Sequence, residues 1–291
     1  MLCREILRTR KVDGVLYINN SGADLINTCG RKASYVFAKP EQDITSLAAN
    51  FGRSVHAGLQ CFYQADRRDD NLLEEMIAAF KAAATPDILA IDNKEKRSIG
   101  NGEKILKQFF DTYREDVYEI YKDDVGPFVE RQFEVDLFPG VRFFGTIDAI
   151  LRNKETGELV VCDHKTTSTL GAGFPNKADV SHQLTGYVFA CQAMGIQVTR
   201  VMFQGLQVAK TMCQVLRVPA VITDDKIQEW KEWMQHTVTV WEMMSATKNY
   251  PMNGSQACTI YSGCHYLPVC SAPIRMRESI MAEITNTGDE E

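Results

Sequence analysis

Gly145-Thr146-Ile147-Asp148-Ala149-Ile150-Leu151-Arg152-Asn153-Lys154-Glu155-Thr156-Gly157-Glu158-Leu159-Val160-Val161-Cys162-Asp163-His164-Lys165-Thr166-Thr167 reads as two β-rich runs. They span Val141 to Leu151 and Leu159 to Thr166, and Asn153 to Glu158 is a hairpin-like connection between them. Side chains alternate along a strand. Val161, Asp163 and Lys165 therefore share one face of the second run, and Val160, Cys162 and His164 share the other. In the first run Asp148 shares a face with Phe144, Thr146 and Ile150. A carboxylate on an apolar face is costly unless it is paired or holds a metal. If the runs pair, Asp148 and Asp163 converge beside Lys165. Two carboxylates suit a hard cation such as Mg²⁺ or Mn²⁺. Such an ion polarises a phosphate and lowers the pKa of a bound water. A lysine beside it can orient that water or stabilise developing charge. The plainer alternative is an Asp–Lys ion pair at a strand end, with Asp148 at a turn.

Outward from this pair the chain alternates helical and β-rich segments. Val12 to Ile18 reads as a short strand, Asn20-Ser21 as an N-cap, and Asp24 to Phe37 as one helix. A second helix is expected over Ser46 to Tyr63. Asn71 to Tyr121 is rich in Ala, Glu, Lys and Met and reads as a helical insertion. Phe128 to Leu137 alternates like a strand and turns at Pro139-Gly140. Gly171 to Pro175 is a loop, Asp179 to Met194 a helix stopped by Gly195, and Val198 to Leu206 and Met212 to Val218 are strands. Thr223 caps a long helix to about Thr247, with Ile227, Trp230, Met234, Val238 and Trp241 on its apolar face. Beyond Tyr250 an irregular tail holds Cys258, Cys264 and Cys270. This order is that of an α/β fold: a central mixed β-sheet flanked by helices.

The 291 residues are 45% apolar, enough for a substantial core. No run of eighteen apolar residues spans a membrane, and the N-terminus lacks a signal-peptide pattern, so the cytoplasm is the expected location. Nine cysteines in a reducing compartment point to metal or redox chemistry, or to burial, rather than to disulfides. The net charge of −6 argues mildly against DNA but leaves room for a local basic groove. Arg31-Lys32, Arg67-Arg68 and Lys94 to Arg97 are its candidates, although each taken alone fits solvated surface charge better.

The Gly-x-x-Asp run followed by Asp163-His164-Lys165 resembles the core motif of RecB-type PD-(D/E)XK nucleases, whose core is restriction-endonuclease-like. Other segments resemble the same family in the same order. Phe51-Gly52-Arg53-Ser54-Val55-His56 is similar to its helix with a metal-binding histidine. Gln183 and Tyr187, on one helix face at i and i+4, match its Gln-x-x-x-Tyr. Glu130 aligns with a frequent family acid, although a surface-strand role fits it equally well. Ser21, Leu25, Cys29 and Arg31, with the three late cysteines, resemble AddB-like and CRISPR-associated RecB-like exonucleases, phage-encoded relatives included.

The resemblance implies a metal-dependent deoxyribonuclease, an exonuclease by kinship, acting in recombination, repair or phage DNA processing. It implies catalytic Asp148, Asp163, Lys165, Gln183 and Tyr187, and a Mg²⁺ or Mn²⁺ ion on His56, Asp148 and Asp163. It also implies a [4Fe-4S] cluster on Cys29, Cys258, Cys264 and Cys270, with Zn²⁺ as the alternative at the same thiols. The expected organisation is a single nuclease domain over 1–272, with the helical insertion at about 71–125 and the cysteine staple from 29 and 258–270. A tail over 273–291 follows. The implied partner is DNA, single-stranded or at duplex ends, and kinship admits a helicase or recombination partner and an oligomeric ring. The alternative reading is a DNA-binding iron–sulfur or zinc protein with an inactive nuclease fold.

Overall fold

A computed structural model describes residues 9–38, 46–93, 95–210, 212–254, 256–259 and 263–286. Lys94, singled out in the sequence, lies outside them, as does Cys3. In chain order the elements are β1 (Thr9–Val12), β2 (Val15–Ile18), α1 (Asn20–Thr28), α2 (Gly30–Ala38), α3 (Leu47–Gln64), α4 (Asp70–Ala82), α5 (Pro86–Leu89) and α6 (Ile99–Tyr113). Then follow β3 (Tyr118–Ile120), β4 (Lys122–Asp123), β5 (Gly126–Pro127), β6 (Val129–Phe138), β7 (Val141–Asn153) and β8 (Leu159–Thr167). The remainder is α7 (Asn176–Asp179), α8 (His182–Ala193), β9 (Arg200–Val208), β10 (Cys213–Val221), α9 (Asp224–Thr247), α10 (Gln256–Thr259), α11 (Leu267–Ser271) and α12 (Arg277–Asn286). The fold is mixed α/β, a mixed sheet flanked by helices, as the sequence order implies. No described helix is long and apolar enough to cross a membrane.

The chain forms two compact units. The first comprises 1–44, 136–144 and 229–291. In it the expected strand over Val12 to Ile18 is instead a hairpin. Asp13 and Gly14 both take positive φ, 49° and 84°, and turn β1 antiparallel onto β2. Asp-Gly is a favoured two-residue turn because both positions tolerate that conformation. β2 then runs parallel to the start of β7, Leu16 opposite Val141 and Ile18 opposite Phe143. The single helix expected over Asp24 to Phe37 is two helices. Asn19, not Asn20 or Ser21, caps α1 by accepting from the Gly22 N–H, and Cys29 breaks the run in an extended conformation. The indole of Trp230 on α9 is buried edge-on to Phe143, and its Nε1 donates to Asn20 Oδ1 at 3.1 Å. After Tyr250 the chain is not an irregular tail but a set of short helices, α10 to α12.

The second unit comprises 45–135 and 145–228. Its sheet order is β7, β8, β9, β10, with antiparallel, parallel and antiparallel pairings. One face of these strands, with Ala149, Leu151, Val160, Cys162, Met202 and Leu206, packs under α3, α4 and α6 into a dense apolar core. The insertion read as helical is helical through Tyr113 and then returns to β-structure at β3 and β4. Serine and aspartate side chains start these helices by accepting otherwise orphaned N–H groups. Ser46 Oγ accepts from Ala49, Asp69 from Leu72, Ser98 from Asn101, and Ser181 from Leu184. Ser181 is the cap of α8, so that helix starts after Asp179, and α7 is a separate turn before it.

The α6 backbone comes so close to α4 at Gly102 that a Cβ there would overlap the buried ring of Phe80. Gly102→Ala should therefore destabilise the protein by about 1–3 kcal/mol through overpacking. Urea unfolding measures it; an unchanged midpoint would mean that the ring moves aside freely.

Candidate active site

The β7–β8 ladder ends at Ala149 opposite Cys162, one residue before Asp148 would face Asp163. There the His164 N–H donates to Asp148 Oδ2 at 2.7 Å. The carboxylate thereby ties β7 to β8 where backbone pairing stops. Asp148 is 7% exposed and Asp163 0%, so both carboxyl groups are desolvated. Burial raises both pKa values, that of Asp163 to about 6, against the lowering effect of Lys165 beside it. Lys165 Nζ lies 2.8 Å from Asp163 Oδ2, whereas Asp163 Oδ1 has no hydrogen-bond partner in the protein. Desolvation opposes the charge on Lys165, but Asp163 and then Asp148 outweigh it and keep its pKa raised.

The lysine is held from a second side. Its Nζ donates to Gln183 Oε1 at 2.7 Å, and Gln183 Nε2 donates to the Tyr187 hydroxyl at 2.7 Å. One turn of α8 separates the two, so the i, i+4 spacing delivers a relay onto the lysine. Tyr187 packs edge-on to Phe133, with centroids 6.0 Å apart. Gly145 explains the glycine of the motif: a Cβ there would come within 3.0 Å of the Phe133 ring and 3.8 Å of Tyr187. Burial, then the carboxylates Asp148 and Asp163, hold the Tyr187 phenol well above its ordinary pKa, so it stays protonated.

His56 enters from α3. Its Nε2 faces the backbone carbonyl of His164 at 3.1 Å; its Nδ1 lies 3.0 Å from Glu130 Oε1 and 3.8 Å from Asp148 Oδ2. Desolvation would lower its pKa, but Asp148 and then Glu130 prevail and raise it to about 9. One ligand atom from each of His56, Glu130 and Asp148 lies within 4.8 Å of the others. The donor set fits a hard divalent cation: carboxylate oxygens, an imidazole nitrogen, and a buried carboxylate oxygen on Asp163 with nothing to bond. With Nε2–H donating to the carbonyl, Nδ1 is the nitrogen that would ligate an ion, which must displace its proton.

The geometry thus gathers His56, Asp148, Asp163, Lys165, Gln183 and Tyr187 into one locality of the second unit. It adds Glu130, to which the sequence gave two equal readings. Glu130 has φ of +46°, uncommon for a residue with a side chain and costly unless the surroundings enforce it. Sequence patterning carries no signal for that backbone state. The ring of His164, on the other face of β8, stacks on Tyr63 with centroids 5.4 Å apart, and burial pushes its pKa well down, so it is neutral.

The four cysteines of the expected cluster belong to the first unit. Cys29 and Cys258 are buried, Cys264 and Cys270 half-buried, and the Cys264 N–H donates to the Cys258 carbonyl at 2.8 Å. Burial raises the Cys270 thiol, Arg31 lowers it, and the nearby Cys264 and Cys29 raise it further. Of the other thiols, Cys162 and Cys191 are buried, and burial pushes Cys191 up to about 12, so they are inert core residues.

A crystal structure of a "Putative exonuclease" from Eubacterium rectale is similar over 90% of this chain and 92% of its own, with a TM-score of 0.53 and 14% identity. The structure of SSO0001 is a more distant likeness, with a TM-score of 0.36 and 13% identity over 79% of this chain and 78% of its own. No curated protein matches. The family model of the PD-(D/E)XK nuclease superfamily matches residues 20–271, and the chain belongs to that superfamily.

Proposed function

We propose that this protein is a Mg²⁺- or Mn²⁺-dependent DNA exonuclease that cuts phosphodiester bonds at the Asp163–Lys165 site. The observation that carries the reading is the fully buried Asp163 carboxylate, with Lys165 on one oxygen and no partner on the other, beside the His56–Glu130–Asp148 group. His56, Asp148 and Asp163 would hold the ion, which supplies Lewis acidity and an activated water when bound. Lys165, fixed by Gln183, presents a cation to the phosphate and orients the nucleophile. Tyr187 keeps Gln183 in the rotamer that points its carbonyl oxygen at the lysine.

Kinship with RecB-type and AddB-like enzymes extends the reading to DNA ends or single strands in recombination, repair or phage DNA processing, beside a helicase or in a ring. It also assigns Cys29, Cys258, Cys264 and Cys270 to a [4Fe-4S] cluster, which when bound links the two ends of the first unit. Zn²⁺ held tetrahedrally by the same four thiolates is the second reading. The reading places the protein in a reducing, cytoplasmic setting, where its thiols stay free to hold a metal.

Asp163→Ala and Lys165→Ala should each lower cleavage of linear DNA by about 10³-fold while the protein stays folded, since the first removes an ion ligand and the second a cation that faces developing charge. Gln183→Ala should lose about tenfold, because it releases the lysine rather than removing it. Digestion of single- and double-stranded substrates, with an EDTA control, measures both; full activity of Asp163→Ala would sink the site. Saturating Mn²⁺ should stabilise the fold by about 2.7 kcal/mol at a hundred times its dissociation constant. Thermal melting of His56→Ala and Asp148→Ala should show a smaller shift, and an undiminished one would exclude both as ligands. Cys264→Ala should remove visible absorption and lower the melting temperature; an unaltered spectrum removes that thiol from the ligand set.

A further inference from the structure

Two arginines stand at the thiol corner of the first unit, and neither can ligate a metal. Arg31 follows Cys29 by two residues at the start of α2, and Arg277 opens α12. Arg277 Nη2 donates to the Cys270 carbonyl at 3.3 Å, and its Nε donates to the Ala272 carbonyl at 3.2 Å. Arg31 reaches the same residue from the other end of the chain. Burial raises the Cys270 thiol, and a hydrogen bond from the Arg31 side chain, then its charge, oppose that rise. Both guanidiniums are thus anchored at Cys270, one on its sulfur and one on its backbone. The Tyr35 phenol sits among all of these groups. Burial and then Cys270 raise its pKa, Arg31 and Arg277 lower it, and Cys29 adds a further rise.

Neither arginine forms an ion pair with a carboxylate among the described residues, unlike Arg131, Arg142, Arg152, Arg200 and Arg217. Their other side-chain contacts are neutral: the carbonyls of Tyr250, Ala272 and Cys270. A guanidinium keeps its charge across the whole working pH range. Two uncompensated positive charges beside Cys29, Cys264 and Cys270 are best matched when those thiols ionise. Metal binding ionises them, because the thiolate is the ligand form. Four thiolates around an iron–sulfur core of charge two plus leave a net charge of two minus, which two guanidiniums offset. A one-electron reduction adds a third negative charge. Cys29 and Cys258 are buried, where such charge is costly without counter-ions, so the residues present suit the group.

We propose that Arg31 and Arg277 are the counter-ions of the cysteine-bound cluster and raise its reduction potential by stabilising the more negative, reduced form. The assignment rests on the cluster reading of Cys29, Cys258, Cys264 and Cys270. Net charge and hydrogen bonds to the sulfurs are two of the levers by which a protein sets such a potential. Arg31 works both, since its side chain donates to a ligand sulfur and brings a charge. Arg277 works the first, from the backbone side of Cys270. Both are positioning residues that act through the cluster and touch no substrate.

The test uses the full chain purified without oxygen. Its iron, sulfide and zinc are measured, and the midpoint potential is read by electrochemical titration of the visible absorption. Arg31→Gln should keep its iron and show a lower midpoint. Its ratio of reduced to oxidised cluster at a fixed potential should fall about tenfold, which is about 59 mV for one electron. Arg277→Gln should move the midpoint the same way, and Arg31→Lys, which keeps the charge, should restore most of the wild-type value. An iron-loaded Arg31→Gln protein with the wild-type midpoint overturns the assignment and leaves the cluster standing. Loss of iron from Arg31→Gln but not from Arg31→Lys supports the counter-charge. Equal loss from both assigns Arg31 to holding the Tyr250 carbonyl and overturns it. Wild-type protein with zinc and no iron overturns the cluster reading itself, and the redox role with it.

Discussion

At Asp163 a carboxylate is withdrawn entirely from water, and much of the second unit follows from what that costs. A buried charge that loses its partner destabilises a protein by about 3–5 kcal/mol, so the partner must be fixed. Lys165 is fixed twice, by the carboxylate itself and by Gln183. Gln183 is fixed by Tyr187, and Tyr187 packs against Phe133 in space that Gly145 leaves open. Residues scattered over β6, β7, β8 and α8 therefore form one chain of dependence that ends on a single oxygen. Burial raises the Asp163 pKa to about 6, and the unpaired Oδ1 is best satisfied by a cation. The site trades stability for readiness to bind one.

The two faces of β8 divide the labour. Asp163 and Lys165, the proposed catalytic pair, stand on one. Val160 and Cys162 anchor the strand in an apolar core on the other, followed by the neutral ring of His164 between Tyr63 and His56. Close-packed aromatic rings resist displacement, which lets a strand end hold functional groups without loop-like freedom. His56 joins the two sides, since one ring nitrogen meets the backbone of β8 and the other meets Glu130 and Asp148. Gly52, one turn earlier on α3, has its Cα beside Thr166, so the helix approaches the strand closely where the histidine must reach it.

The site residues were legible because local rules place them. Period two puts Asp163 and Lys165 on one face, i and i+4 puts Gln183 over Tyr187, and Ser46 marks a helix start. What was not legible depends on the backbone or on distant partners. The left-handed Glu130 has no sequence signature, and the stack of Tyr63 on His164 joins elements far apart in the chain. The hairpin at Asp13-Gly14 did carry its signal, but a continuous β-rich run masked it. At Cys29 apolar periodicity passes through unbroken, and the helix nevertheless stops there, one residue before Gly30.

The contacts around Cys29 bear on how the first unit is held together. Cys29 is extended, with φ of −166°, between α1 and α2, and the next residue, Gly30, lies flush against Met244 of α9. The chain around it is bonded directly to the segment before α10. Arg31 N–H donates to the Pro251 carbonyl at 3.1 Å, Arg31 Nε to the Tyr250 carbonyl at 3.2 Å, and Asn253 Nδ2 to the Thr28 carbonyl at 2.8 Å. Tyr35 packs on Tyr266 with centroids 5.3 Å apart, between the cysteines of the late segment. The early and late stretches are thus joined by hydrogen bonds and ring packing before any cofactor enters. A cluster on the four thiols would tighten a closure that the polypeptide already makes. Its loss should loosen that corner locally rather than unfold the chain, unlike small metal domains that fold only around their ion.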